Sequence, residues 1–151
     1  MKILFIGFKG KNNTSSQLVN QLGENILLLT NSFSGLEKDI LSITESYDSI
    51  IMFGVDSSLN GTLRIEKCAE LYGNTVLSDY DVNQLSKVMD SYGIANSISN
   101  VPTQYLCNAA YYHVLCINKN AVFVHIPSIK GMNDAFMGQL QKLFRKLSQD
   151  A

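Results

Sequence analysis

The chain has 151 residues, 46% hydrophobic and 17% charged, with twelve Lys+Arg against thirteen Asp+Glu and a formal net charge of −1. That composition suits one domain over 1–151 with a well-buried core and excludes a disordered chain. No surplus positive charge remains for phosphates, and the opening run Ile3-Leu4-Phe5-Ile6 is too short for an export signal or a membrane span, so we expect a cytoplasmic protein with no nucleic-acid partner and no membrane.

Apolar runs of strand length recur at 3–6, 26–29, 50–53, 94–99 and 121–126. Unbroken runs of this kind predict strands covered on both faces. Between them lie helical patterns. Leu85, Val88, Met89 and Tyr92 recur at i, i+3, i+4 and i+7, preceded by the acidic cluster 79–81 and closed by Gly93. Leu106, Ala110, His113, Val114 and Ile117 mark another stripe, and Met132, Phe136, Leu140, Leu143, Phe144 and Leu147 a last one. Residues 60–71 instead alternate, with Leu63 and Ile65 on one side and Arg64, Glu66 and Cys68 on the other, which predicts a half-exposed strand with Glu66 on its polar side. Strands alternating with helices predict an α/β fold, a three-layer α/β/α sandwich with a mostly parallel central sheet, whose functional groups gather at the carboxyl ends of the strands.

The loop Gly7-Phe8-Lys9-Gly10-Lys11-Asn12-Asn13-Thr14 carries glycines but has neither Walker nor dinucleotide spacing, and 13–16 reads as an N-cap cluster or, as a rival, a hydroxyl loop for a flavin phosphate. Cys68, Cys107 and Cys116 are odd in number and predict free thiols. No Cys-x-x-Cys pair exists, so no metal site is expected, and His113 reads as a core or interface histidine. His125 breaks the run Val122-Phe123-Val124-His125-Ile126 at its carboxyl end, before Pro127. Cys107 follows a strand and a Pro102-containing turn and falls near the start of the next helix, where the helix dipole is expected to lower a thiol pKa. A strand-turn-helix cysteine, a histidine on the following strand and a carboxylate on an earlier one form the logic of a cysteine peptidase.

The segment Ser99-Asn100-Val101-Pro102-Thr103-Gln104-Tyr105-Leu106-Cys107-Asn108 resembles the nucleophile motif of the type I pyroglutamyl peptidases (pyrrolidone carboxyl peptidases), Ser-Asn-Ser-Ala-Gly-x-Tyr-x-Cys-Asn. Phe123-Val124-His125-Ile126-Pro127 is similar to their Phe-Ile-His-Val-Pro strand, Ile65-Glu66-Lys67 to the segment of their catalytic glutamate, and Lys2-Ile3-Leu4 with Gly7-Phe8 to their first strand. The resemblance implies a Cys107, His125, Glu66 triad that needs no cofactor. It further implies release of L-pyroglutamate from peptides with a blocked N-terminus, Phe8, Asn13 and Val55 as substrate-binding residues, and a homo-oligomer. Two departures fall on substrate recognition: the first loop lacks the family's second phenylalanine, and Gly54-Val55-Asp56-Ser57-Ser58-Leu59-Asn60 lacks the family's arginine unless Arg64 reaches in. The alternatives are the same triad acting on another small amide, a homologue with weak turnover, or a non-catalytic α/β module binding a flavin or nucleotide.

Overall fold

A computed structural model describes residues 1–150 of the chain. Strands β1 (Ile3–Phe8), β2 (Ile26–Leu29), β3 (Ser49–Val55), β4 (Thr62–Glu66), β7 (Ala95–Ser99) and β8 (Ala121–Ile126) form one six-stranded sheet in the order β2-β1-β3-β8-β4-β7. Strands β5 (Cys68–Leu71) and β6 (Asn74–Leu77) form a separate hairpin. Five α-helices complete the fold: α1 (Thr14–Val19), α2 (Phe33–Leu41), α3 (Val82–Ser91), α4 (Tyr105–Ile117) and α5 (Asp134–Gln149). The expected three-layer sandwich is the architecture observed, with β2, β1, β3 and β8 parallel and the β4–β7 pair running against them, since β4 joins β8 antiparallel.

Successive strand residues point to opposite faces, and the apolar side chains divide accordingly. Phe5, Ile51, Phe53, Ile65, Val122 and Val124 face one way, onto Leu18 and Val19 of α1, Leu85 and Met89 of α3, and Leu140 and Phe144 of α5. Phe144 meets Phe53 edge-on at 4.8 Å between ring centres, a pair that adds ~0.5–1.5 kcal/mol beyond its area. Leu4, Ile6, Phe8, Ile50, Met52 and Phe123 face the other way, onto Leu36 and Ile40 of α2 and onto Ala110, Tyr111 and Val114 of α4. Helix ends follow the expected chemistry. The side chain of Asp81 accepts from the Gln84 amide at 3.0 Å to start α3, and Gly93, at φ 71°, takes the left-handed conformation just past its end.

Three expectations need correction. Residues 60–71 do not form one half-exposed strand: the chain leaves the sheet at Lys67, whose amide donates to Ser99 O and whose carbonyl accepts from Ser78, and it turns into the β5–β6 hairpin. The strand that does form, β4, lies inside the sheet between β8 and β7, so Glu66 is buried rather than projecting into solvent. The run 94–99 is not covered on both faces but forms the sheet edge, with Ala95 and Ser97 exposed. The stripe on α4 is also rotated, because the helix buries Asn108, Ala109, Ala110, Tyr111, Val114 and Leu115. His113 turns toward α2, with Nε2 4.0 Å from a Glu37 carboxylate oxygen, and Ile117 is exposed.

The hairpin is tied to α4 by Asn108, whose side chain accepts from the Glu70 amide at 3.0 Å and donates to the Glu70 carbonyl at 2.6 Å. Replacing it with alanine leaves both backbone groups without that partner. Asn108→Ala is therefore expected to lower stability by about 1–3 kcal/mol, read as a lower urea midpoint at unchanged slope.

Candidate active site

Strand register brings the singled-out residues to one face. His125 of β8 sits opposite Gly54 of β3 on one side and opposite Arg64 of β4 on the other, and Glu66 is opposite Phe123. Facing residues of neighbouring strands share a face, so Gly54, His125, Arg64, Glu66 and Phe123 all point toward the α4 layer. The alternating Arg64-x-Glu66 pair on β4 lies opposite His125 and Phe123 of β8, and because the two strands run antiparallel the end carrying Glu66 points away from the carboxyl end of β8.

Glu66 is 1% exposed and cannot stand there unpaired. Its Oε2 accepts from His125 Nδ1 at 2.9 Å and from Arg64 Nε at 2.6 Å, while the Tyr111 hydroxyl donates to the Glu66 carbonyl at 2.7 Å. A terminal guanidinium nitrogen of Arg64 lies 2.9 Å from Asp56 Oδ2 and 3.3 Å from His125 Nδ1. Asp56 is held low, at about 2, by hydrogen bonds from the Ser58 hydroxyl and amide and by the Arg64 guanidinium. With Nδ1 committed to Glu66, Nε2 is the nitrogen of His125 free to exchange a proton, and the Phe123 ring packs 4.8 Å away from the imidazole.

Cys107 descends onto this face from the third position of α4. Its Sγ lies 2.9 Å from the point a side-chain carbon on Gly54 would occupy, and Phe123 Cζ lies 2.5 Å from the same point. Glycine at 54 is thus what lets the sulfur settle over β3 beside the residue paired with His125. The turn that delivers it is strained: Tyr105 opens α4 at φ 62°, which costs a non-glycine residue about 1–3 kcal/mol. Gln104 supplies no side-chain cap to α4, whose first residues Tyr105, Leu106 and Cys107 line a cleft.

That cleft, about 630 Å³, is walled by Val55, Asp56 and Ser57 on the β3 side and by 103–107 on the α4 side, with His125 at its base. Its size suits a small ligand group. Cys107, His125 and Val55 meet there, and Glu66 supports His125 from behind. Phe8 lies elsewhere, 4% exposed in the apolar layer beneath α2 and α4, and Asn13 caps α1 by accepting from the Ser15 amide at 2.9 Å. The hydroxyls of Thr14, Ser15 and Ser16 are likewise spent inside the protein, Thr14 donating to the Pro127 carbonyl at 2.6 Å, Ser15 accepting from the Phe8 amide at 3.0 Å and Ser16 donating to the Gly10 carbonyl at 2.9 Å. A flavin-phosphate loop is not formed there.

Sequence reasoning missed Asp56, Tyr111 and the full part of Arg64. The i, i+2 spacing of Arg64 and Glu66 already puts both on one strand face, a usable signal, whereas nothing local marks Asp56. The expected lowering of the Cys107 pKa is reversed: burial, with the negative charges of Glu66 and Asp56, pushes the thiol up to about 12, and Arg64 offsets only part of this.

No protein-family model and no curated protein sequence matches the chain. Solved structures do match, over nearly its whole length. It is similar to the pyrrolidone carboxyl peptidase from Thermococcus litoralis, with a TM-score of 0.77 and 18% identity over 99% of this chain and 94% of that one. A mutant pyrrolidone carboxyl peptidase from Pyrococcus furiosus matches at TM-score 0.81 and 19% identity, over 99% of both chains. The pyrrolidone carboxyl peptidase from Fervidobacterium islandicum matches at 0.70 and 19%, over 97% of this chain and 96% of that one. The chain therefore has the fold of the pyrrolidone carboxyl peptidases.

With the Cys107 thiol at about 12, the sulfur is protonated at neutral pH, and its thiolate fraction grows about tenfold per pH unit below that value. In a Cys116→Ser background, alkylation of Cys107 by iodoacetamide is expected to accelerate steadily from pH 7 to 10. A rate already level at pH 7 would mean a preformed thiolate.

Proposed function

We propose that the chain is a cysteine peptidase of the pyroglutamyl type, releasing L-pyroglutamate from blocked peptide N-termini, with Cys107 as nucleophile, His125 as general base and acid, and Glu66 as the group that orients the imidazole. The observation that carries this reading is the 2.9 Å pair between buried Glu66 and His125 Nδ1, at the base of the cleft that also holds Cys107. The fold shared with structures of pyrrolidone carboxyl peptidases supports it.

The chemistry follows from the resting protonation state. Because Cys107 rests as a neutral thiol, the reaction begins with general-base catalysis rather than with a stored ion pair. His125 Nε2 takes the thiol proton as sulfur attacks the amide carbon. The electron pair of the carbonyl moves to oxygen, and the amides at the start of α4, that of Cys107 first, receive the oxyanion. The imidazolium formed is stabilised by Glu66 and returns its proton to the leaving amine as the carbon–nitrogen bond breaks, leaving a thioester on Cys107. Water, deprotonated by the same imidazole, then releases the acid and restores the thiol.

The cleft lining favours a second reading, the same triad on a different small amide. The aromatic side chain at the cleft is exposed Tyr105 rather than Phe8, and an ionised Asp56 lies on the opposite wall.

The test is hydrolysis of a fluorogenic L-pyroglutamyl amide. We expect turnover that falls at least about 10³-fold in Cys107→Ala and in His125→Ala. Absence of turnover by the wild-type chain, with Cys107 alkylation behaving as described above, moves the function to the second reading.

A further inference from the structure

The reaction outlined above employs three side chains, yet the carboxylate at its base is held by a fourth that nothing in that chemistry uses. Arg64 bridges two anions. Its Nε donates to Glu66 Oε2 at 2.6 Å and a terminal nitrogen to Asp56 Oδ2 at 2.9 Å, and Asp56 is itself fixed by the Ser58 amide at 2.9 Å and hydroxyl at 2.6 Å. The chain of contacts runs from the loop after β3, through β4, to β8: Ser58, Asp56, Arg64, Glu66, His125.

We propose that Arg64, anchored by Asp56, is a positioning residue for the triad: it fixes the one Glu66 oxygen that receives His125 Nδ1 and thereby leaves Nε2 as the nitrogen available to Cys107. This inference rests on the triad reading and deepens it. A carboxylate that accepted from His125 alone would be free to rotate about its last bond, and either oxygen would serve. Arg64 removes that freedom, because Oε2 accepts from Nε and Nδ1 together. Its position is fixed by register, opposite His125 on the antiparallel neighbour strand. The same guanidinium also acts on the reacting sulfur, since its positive charge opposes the negative charges of Glu66 and Asp56. The charged and titratable groups gathered about His125 are thus Glu66 and Arg64 from β4, Cys107 from α4 and, through Arg64, Asp56 from the β3 loop.

The experiment compares Arg64→Met, Arg64→Lys and Asp56→Asn, all with Cys116→Ser, by kinetics on the L-pyroglutamyl amide and by iodoacetamide alkylation of Cys107 at pH 8. Arg64→Met is expected to lower kcat by at least about tenfold with KM within about twofold. Its kcat/KM should lose activity at a higher pH on the acid side, because removing a cation beside the imidazole favours its protonated form. Its Cys107 should alkylate several-fold more slowly. Arg64→Lys keeps the charge without the fork and should recover the alkylation rate but only part of kcat. Asp56→Asn loosens Arg64 while removing a negative charge near the sulfur, so kcat should fall with no slowing of alkylation. Wild-type kcat and alkylation in Arg64→Met overturns the proposal, and so does equal loss of kcat in Met and Lys with an unmoved acid limb, which marks a merely structural ion pair. If the parent does not hydrolyse the amide, the substrate reading fails and the alkylation series alone decides, with an unchanged rate in Arg64→Met counting against the proposal.

Discussion

A carboxylate buried to 1% exposure must be given partners, and much of this structure follows from where Glu66 finds them. One is a guanidinium two residues back on its own strand, the other an imidazole on the neighbouring strand, and both donate to the same oxygen. Removing the guanidinium would leave the buried charge without its counter-charge, and removing the imidazole would take away a hydrogen bond, so the carboxylate, the guanidinium and the imidazole hold one another in a single arrangement. The backbone is secured as well, because Tyr111 reaches across from α4 to the Glu66 carbonyl.

This arrangement depends on the antiparallel entry of β4 into an otherwise parallel run. Were β4 parallel to β8, its register with His125 would differ and the end carrying Glu66 would lie with the other carboxyl ends. Running antiparallel, it brings Arg64 opposite His125 and leaves Glu66 beneath α4, while the chain turns away at Lys67 into the hairpin. Asn108, the residue after the cysteine, ties that hairpin to α4 through Glu70. Glycine at 54 gives the sulfur its place above β3, and the left-handed Tyr105 gives α4 its entry angle. Neighbouring residues of the segment 105–108 thus carry separate geometric duties.

Much of the fold was legible in the sequence. The apolar runs 26–29 and 121–126 coincide with β2 and β8, and the acidic cluster ending at Asp81 and the glycine at 93 bound α3. Local pattern failed where tertiary placement decides. Alternation in 60–71 marks a strand but does not tell whether its polar side meets water or a helix, so nothing local marks Glu66 as buried. In the short, largely exposed β6 the apolar pair Val76-Leu77 is too brief to mark a strand by itself. Cys107 and His125 line one cleft and Glu66 pairs with His125, a juxtaposition to which position at strand ends and motif resemblance both point. The thiol's electrostatics were not legible, because a helix N-terminus argues for a lowered pKa while the burial and the two carboxylates that outweigh it come from distant segments. Phe8 failed as a cleft residue for the same reason. The alternation of β1 sends it into the layer under α2 and α4, and only the shape of the neighbouring loops decides whether that layer opens to solvent.

In the proposed reaction Cys107 attacks a substrate carbonyl with His125 as base and Glu66 behind it. Rapid acid quench of the protein mixed with an L-pyroglutamyl ester, followed by mass spectrometry of the Cys107 peptide, tests it most directly, because the thioester is the intermediate that this arrangement requires. One pyroglutamyl group is expected on Cys107, formed in the first turnover, abolished by His125→Ala and absent from Cys68 and Cys116. Product release with Cys107 never acylated, or acylation unaffected by loss of His125, would contradict it.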